Sequence, residues 1–291
     1  MIITTKVKLG LQVYLKTKEK KMEIPADLVR FLQRSTRVAV LTGAGISAES
    51  GLRTFREAQT GYWSQYRPED LATPAAFARD PKLVWDWYAM RRTKVAAANP
   101  NAGHTALVDM ESHIPDFTLI TQNVDGYHKM AGNKNVLELH GNIQQVRCFD
   151  GCGVVKESEW KYSTPPPNLP REQGRNSSPP VERGELEGGD VPRCPKCNAY
   201  LRPDVVWFTE SLPLDALHSA IDASNRCQVF FSIGTSGLVQ PAASLPHHAR
   251  DNGAVLVEIN LNPTPLTPHV DFALHGKSGE ILPALVEEVW G

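Results

Sequence analysis

Apolar residues along this chain follow two alternating rhythms. Short, nearly continuous runs of β-branched and aliphatic residues occur at 38–42, 117–121, 136–139, 229–233 and 255–259. Parallel strands buried on both faces require runs of this kind. Between them, apolar positions recur at helical spacing: Leu28, Phe31 and Leu32 mark one helix, and Ile281, Leu282, Leu285, Val286 and Val289 mark another. Strand and helix in alternation predict a doubly wound, Rossmann-like α/β sheet.

Two stretches break the rhythm. Residues 57–104 hold no strand pattern but carry Tyr62, Trp63, Tyr66, Phe77, Trp85, Trp87 and Tyr88, which reads as a helical insertion. Residues 148–201 hold two cysteine pairs around a connection rich in Pro, Gly, Ser and charge, expected to be an exposed loop. The expected organisation is a tail over 1–22 and a core built from 23–56, 105–147 and 202–291. A smaller domain combines the helical module 57–104 with the cysteine module 148–201.

The residues that follow each strand carry the chemistry. Run 38–42 leads into Gly43-Ala44-Gly45, 117–121 into Gln122-Asn123-Val124-Asp125, and 136–139 into His140-Gly141. Run 229–233 leads into Gly234-Thr235-Ser236, and 255–259 into Asn260. In an open α/β sheet the ligand crevice lies outside the carboxyl ends of the strands, so five small or polar ends together mark a nucleotide or catalytic site. Gly43-x-Gly45-x-x-Ala48 also matches a dinucleotide fingerprint, in which glycines let backbone N–H groups approach phosphate. The acidic residue that closes the second strand of ordinary dehydrogenases has no counterpart. Thr54-Phe55-Arg56 stands there instead, where Arg56 can neutralise phosphate and Phe55 can cover a reactive ribose.

Composition narrows the partners. Lysine and arginine (31) balance aspartate and glutamate (32), and no apolar run is long enough to span a membrane. Neither nucleic acid nor a membrane is expected as partner, and the chain is expected to be a monomer. Cys148-x-x-x-Cys152 and Cys194-x-x-Cys197 supply four thiolates, a set that fills tetrahedral zinc and leaves no open position, so the expected role is structural. That set, with Cys227 alone, implies a reducing intracellular compartment rather than a disulfide framework. The first 18 residues carry four lysines and no acid, which suits a targeting segment, but lack the arginine and serine such segments usually hold. Mitochondrial matrix, cytoplasm and nucleus therefore stay open.

Taken in order, Gly43-Ala44-Gly45-Ile46-Ser47-Ala48-Glu49-Ser50-Gly51, Phe55-Arg56, Gln122-Asn123-Val124-Asp125, His140-Gly141, the cysteine pairs, Gly234-Thr235-Ser236 and Asn260 resemble the sirtuin family from about Ile24 to the C-terminus. The resemblance implies a Rossmann-like core with a small helical and zinc domain, and NAD as co-substrate. Ala44, Gly45, Phe55 and Arg56 would hold the diphosphate and nicotinamide ribose, and Gln122, Asn123 and Asp125 would line the nicotinamide pocket. Gly234, Thr235, Ser236 and Asn260 would bind the adenosine half, with Ser278 near the adenine. Gly43, Ser47, Thr54 and Val124 belong to the same binding stretches. In that family an acyl-lysine oxygen displaces nicotinamide and His140 would act as general base, yielding free lysine and O-acyl-ADP-ribose.

Tyr88 and Arg91 stand three residues apart and so share one face of a predicted helix. With Asp70-Leu71-Ala72-Thr73-Pro74 and Pro203-Asp204-Val205-Val206-Trp207-Phe208, the pair resembles the desuccinylase, demalonylase and deglutarylase branch, where tyrosine and arginine grip an acyl carboxylate. Val206, Trp207 and Phe208 are expected to form a strand that pairs with the substrate backbone. Leu52-Arg53 and Thr209 depart from the family pattern; glycine is usual at the latter. The alternatives are a plain deacetylase, a mono-ADP-ribosyltransferase, a non-catalytic NAD sensor and, least compatible, a dehydrogenase.

Overall fold

The computed structural model describes residues 24–52, 61–156, 159 and 190–291. In chain order the strands are β1 (Arg37–Thr42), β2 (Asp116–Thr121), β3 (Val136–Glu138), β4 (Gly141–Cys148), β5 (Val154–Val155), β6 (Leu201–Val205), β7 (Val229–Ile233), β8 (Val255–Asn260) and β9 (Phe272–His275). Six form one wholly parallel sheet in the order β3-β2-β1-β7-β8-β9, and the other three form an antiparallel sheet, β5-β4-β6. This is the Rossmann-like parallel sheet with a separate small domain that the sequence predicts.

Successive residues of β1 serve opposite faces, as strand geometry demands. Val38 and Val40 enter the core shared with α1 (Ala26–Arg34), α6 (Ala102–His113) and α10 (Ser278–Trp290), and Ala39 and Leu41 the core under α8 (Leu214–Arg226) and α9 (Leu245–Asp251). All five apolar positions expected of α10 are buried. Burying each such side chain favours the fold by roughly 1.5–3 kcal/mol. Phe31 differs from expectation: it is half exposed, because only the Leu28–Leu32 ridge of α1 reaches the sheet. Four strands, β4, β5, β6 and β9, have no counterpart among the predicted runs. β9 is an edge strand burying only Leu274, and the alternation of β4 is broken by a register shift between Asn142 and Val146.

The small domain has a single core. Helices α3 (Pro68–Leu71), α4 (Pro74–Arg79) and α5 (Pro81–Ala97) bury Phe77, Trp85, Trp87 and Tyr88 against Ile143, Val146, Leu201 and Trp207 of the antiparallel sheet and its exit. Each of the last two helices starts on a proline behind a side-chain cap: Thr73 Oγ1 accepts from Ala76 N at 3.1 Å, and Asp80 Oδ1 from Leu83 N at 3.1 Å. β4 and β6, which the sequence reading assigns to the core apart from Cys148 and Leu201, pair with each other and not with the parallel sheet.

The segment Val206-Trp207-Phe208 is not a strand, contrary to expectation. β6 stops at Val205, and the next three N–H groups are already used. Val206 donates to the His140 carbonyl (2.9 Å), Trp207 to Glu210 Oε2 (2.8 Å) and Phe208 to the Ala72 carbonyl (2.9 Å). The chain then turns through Thr209 at φ +74°, a left-handed conformation that a β-branched side chain resists.

The four sulfurs of Cys148, Cys152, Cys194 and Cys197 lie within 4.8 Å of one another, with Cys148 and Cys197 at 3.5 Å. Tetrahedral zinc with bonds of about 2.3 Å would space them about 3.8 Å apart, so the donor set fits. The second pair sits on a tight turn closed by Asn198 N to the Cys194 carbonyl (2.9 Å). Cys227 stands outside the cluster, buried against the Ser224 carbonyl at 3.2 Å.

Trp63, Trp85, Trp87 and Trp207 all lie in the small-domain core, which makes tryptophan emission its reporter. The purified chain is expected to hold one zinc, and chelation or Cys194→Ser should red-shift that emission while the parallel sheet persists in far-ultraviolet dichroism. Unchanged emission from metal-free protein would contradict a structural role. For Thr209→Gly, relief of about 1–2 kcal/mol of left-handed strain exceeds the roughly 0.5–1 kcal/mol entropic cost of glycine. The expected result is a thermal midpoint higher by about 1–3 °C.

Candidate active site

The strand order places the switch point of the sheet between β1 and β7, from which the chain winds outward in both directions. Ligands of open α/β sheets bind at that point. Here the turns after the two strands meet backbone to backbone: Gly43 N donates to the Ile233 carbonyl (2.9 Å) and Gly45 N to the Gly234 carbonyl (2.8 Å). A Cβ on Gly45 would stand 2.6 Å from Gly234 Cα, so no other residue fits. The sequence reading has these glycines let backbone N–H groups approach phosphate, and the contact with Gly234 adds a second demand for glycine at the same turn. Their N–H groups are spent inside the protein, and the glycines permit one loop to lie on the other.

Around this contact the polar strand ends are tied together. Gln122 Nε2 donates to Thr235 Oγ1 (3.0 Å), and Asn260 Nδ2 to the Thr235 carbonyl (2.8 Å). Asn123 Nδ2 reaches the Gly43 carbonyl (3.0 Å) and Ser47 Oγ (3.2 Å), and Ser47 Oγ donates to Asp125 Oδ2 (2.7 Å). Asn123, Asp125 and Ser47 are buried, and burial pushes the Asp125 carboxyl up despite bonds from Tyr127 N and Ser47. Val124 is half-buried beside them, its carbonyl accepting from Ile143 N at 2.8 Å, whereas Ser236 is exposed. Ser278 does not join this group; its hydroxyl and the Gly279 N–H meet Glu49 Oε1 at 3.3 and 2.8 Å. Ala44 opens the short helix α2 (Ala44–Ala48) at the same rim. Thr54, Phe55 and Arg56 lie outside the described residues.

His140 sits in the link between the two sheets. Its Nδ1 is 2.8 Å from the Gln122 carbonyl. A carbonyl only accepts, so the proton is on Nδ1 and the Nε2 lone pair is left as a base. Burial holds this imidazole below its ordinary pKa, outweighing the carbonyl, and so favours the neutral form. Gly141, next in the chain, has φ +79°, and a Cβ there would come within 2.1 Å of the Asp204 carbonyl. Only glycine lets β6 close against the histidine.

Residues 43–241 match the Sir2 family. The chain belongs to that family. It is 48% identical over 241 residues to an NAD-dependent protein deacylase of Aquifex aeolicus, covering 83% of this chain and 90% of that protein. A solved Sir2 homologue–NAD complex superposes with a TM-score of 0.75 at 41% identity, over 92% of this chain and 94% of that one. Sir2Af2 bound to a myristoylated histone peptide superposes at 0.67 with 32% identity, over 90% and 94%.

In this Sir2 chain Tyr88 and Arg91 lie on α5 beside the same rim. Tyr88 is buried, and Trp207 Nε1 donates to its hydroxyl at 3.1 Å. Burial pushes the Tyr88 phenol up to about 12, Arg91 and the indole bond opposing, so the hydroxyl keeps its proton at neutral pH. The Arg91 guanidinium lies 5.7 Å from the Trp87 ring centre, and burial pushes its pKa down, opposed by the neighbouring Tyr88 and Asp125. That electrostatic reach to Asp125 joins the α5 pair to the strand-end site.

Several supporting residues escaped the sequence reading. Asn101 caps α6 through Gly103 N (2.9 Å) and donates to the Ile46 carbonyl (2.7 Å) and Ser50 Oγ (3.0 Å), fastening α2. His104 Nδ1 accepts from Asn101 N (3.2 Å), and its Nε2 faces Ser47 Oγ at 3.5 Å. His128 Nε2 meets Thr42 Oγ1 at 2.9 Å, and Thr42 bonds Thr121. The only available signal was Asn101-x-x-His104, a variant of the capping box.

Burial lowers His104 to about 4 and His128 to about 3, the latter also repelled by His104. Both folded-state values lie below the unfolded one, so below pH 6.5 the unfolded chain binds more protons and stability falls with pH. Denaturant melts are expected to lose of the order of 3 kcal/mol per histidine between about pH 6.5 and 4. His128→Gln should flatten that slope; an unchanged slope would rule the pair out as its source.

Proposed function

We propose that this Sir2 protein is an NAD-dependent protein-lysine deacylase, and that it prefers acyl chains ending in a carboxylate, with succinyl, malonyl and glutaryl as the class. The observation that carries the chemistry is His140, with Nδ1 committed to the Gln122 carbonyl and Nε2 left as base beside the buried Ser47–Asn123–Asp125 group. The Aquifex relative's name and the NAD-bound homologue support the reaction and co-substrate. The peptide bound to Sir2Af2 supports acyl-lysine protein as substrate.

The site suits a dinucleotide laid across the β1–β7 switch point. Thr235 and Asn260 would hold the adenosine half, and Gln122, Asn123, Asp125 and Ser47 the nicotinamide half, with Phe55 and Arg56 assigned by resemblance. NAD supplies the electrophilic ribose carbon from which nicotinamide departs. The chain contributes the rest. Backbone contacts around Gly45 and Gly234 fix the rim, the buried Asn123–Ser47–Asp125 bonds present an ordered polar wall, and His140 Nε2 takes the proton of a ribose hydroxyl.

Support for acidic acyl groups comes from hydrogen-bond direction. The indole N–H only donates, so Tyr88 accepts from it and has its own proton to give. Arginine has donors and no acceptor. Together the two side chains offer a ligand donors alone, which matches a carboxylate and not a methyl group. Two such bonds of about 1.5–3 kcal/mol each favour succinyl over acetyl at least tenfold.

The deciding assay releases succinyl and acetyl groups from one lysine peptide, with and without NAD, using wild type, His140→Ala and Arg91→Met. Turnover should require NAD, fall at least a hundredfold in H140A, and decline on an acid limb below pH 6.5, where the base protonates. Succinyl should be preferred, and R91M should abolish that preference. Equal rates on both peptides would leave a deacylase without acidic selectivity; no NAD-dependent release would overturn the whole reading.

A further inference from the structure

Trp207 is held from three sides by groups that no part of the reaction above uses. The Arg202 guanidinium carbon stacks 3.4 Å from its ring centre, and Arg202 grips Glu210 through two bonds of 2.5 and 2.8 Å. Glu210 Oε2 also accepts the Trp207 backbone N–H at 2.8 Å, and Arg202 Nη2 donates to the Val205 carbonyl at 2.7 Å. Phe77 packs on the same indole with ring centres 5.3 Å apart. Arg202 and Trp207 are almost wholly buried. A planar, bidentate arginine–carboxylate pair stacked on an indole fixes both the position and the rotation of that ring. The one polar atom of the indole side chain is thereby aimed at Tyr88 Oη.

We propose that Trp207, clamped by Arg202 and Glu210, is a positioning residue for acyl selection: its N–H occupies the Tyr88 oxygen as acceptor and turns the tyrosine proton toward the acyl carboxylate. The inference rests on the acidic-acyl reading above. A free phenol can rotate its proton or accept from a ligand, and such a hydroxyl discriminates poorly. With the indole donating into it, the oxygen is polarised, and its O–H becomes a better donor with one direction left. Trp207 also follows Val206, whose N–H bonds the His140 carbonyl, so the segment that orients the selecting hydroxyl also braces the base.

A double-mutant cycle tests this on the ratio of succinyl to acetyl kcat/KM in wild type, W207F, Y88F and the double variant. W207F is expected to lower the ratio roughly three- to tenfold, the size of one neutral hydrogen bond, and to change it less than twofold once Tyr88 is phenylalanine. A purely structural role would lower both substrates alike or add in the Y88F background; either result overturns the proposal. A wild-type ratio near one overturns the acidic-acyl reading and this inference together, whereas a high wild-type ratio with additive variants overturns only the role of Trp207. Should W207F lose its fold, judged by thermal midpoint and zinc content, Glu210→Gln loosens the same clamp. It should lower the ratio in the same direction; an unaltered ratio counts against the clamp. The bond itself is read from the Trp207 indole N–H resonance, which should move in Y88F; a resonance that stays in place overturns it.

Discussion

The architecture turns on a backbone contact with no room for a side chain: Gly45 N–H on the Gly234 carbonyl, at the point where the sheet reverses its winding. β1 and β7 run parallel and side by side while the chain winds outward from them in opposite directions, and their exit turns meet in the same space. Resolving that crowding with glycine leaves the two turns stacked and the rim above them composed of main chain and short polar side chains. Gln122 and Asn260 both donate to Thr235 because this contact brings their strands to one level.

A second constraint fixes His140, the proposed base. His140 belongs to neither sheet; it occupies the step between β3 of the parallel sheet and β4 of the antiparallel one. The large domain holds its ring through the Gln122 carbonyl, and the small domain holds its backbone through Val206. An imidazole gripped from both sides keeps one tautomer and one orientation without any acidic partner. General bases are more often oriented by a carboxylate, which would raise the histidine pKa; a carbonyl orients it with less effect on its basicity.

Five strands of the parallel sheet were legible: β1, β2, β7 and β8 leave uninterrupted apolar runs because they are central and buried, and the edge strand β3 retains a short one. The strand ends were legible because glycine, asparagine and histidine interrupt those runs at one edge. β9 and β4 were not, since an edge strand burying one residue and a bulged strand both lose the period that a reader counts. Val206-Trp207-Phe208 reads as a strand by composition, yet Glu210, Ala72 and His140 claim its N–H groups, and three tertiary partners cannot be read from a tripeptide. Gly43 and Gly45 read as a tight turn of close approach, but Gly234, the loop they lie against, cannot be read from them. The buried His104 and His128 were invisible, because nothing local distinguishes a histidine that stays neutral in a core from one on the surface.

The small domain owns one hydrophobic core, not two. Tyr88 from the helical insertion, Trp207 from the exit of β6, and Cys148 and Cys194 from the knuckles all pack into it. On the proposed reading of Tyr88, acyl selectivity and metal retention then form a single heritable unit. On that reading, a lineage that remodels α5 does so under the packing demands of the cysteine-bearing sheet, and the parallel sheet can remain as it is. For anyone recombining relatives, the exchangeable cassette is discontinuous: α3 to α5 must travel with β4 to β6, and a graft of either alone would leave an interface without its complement.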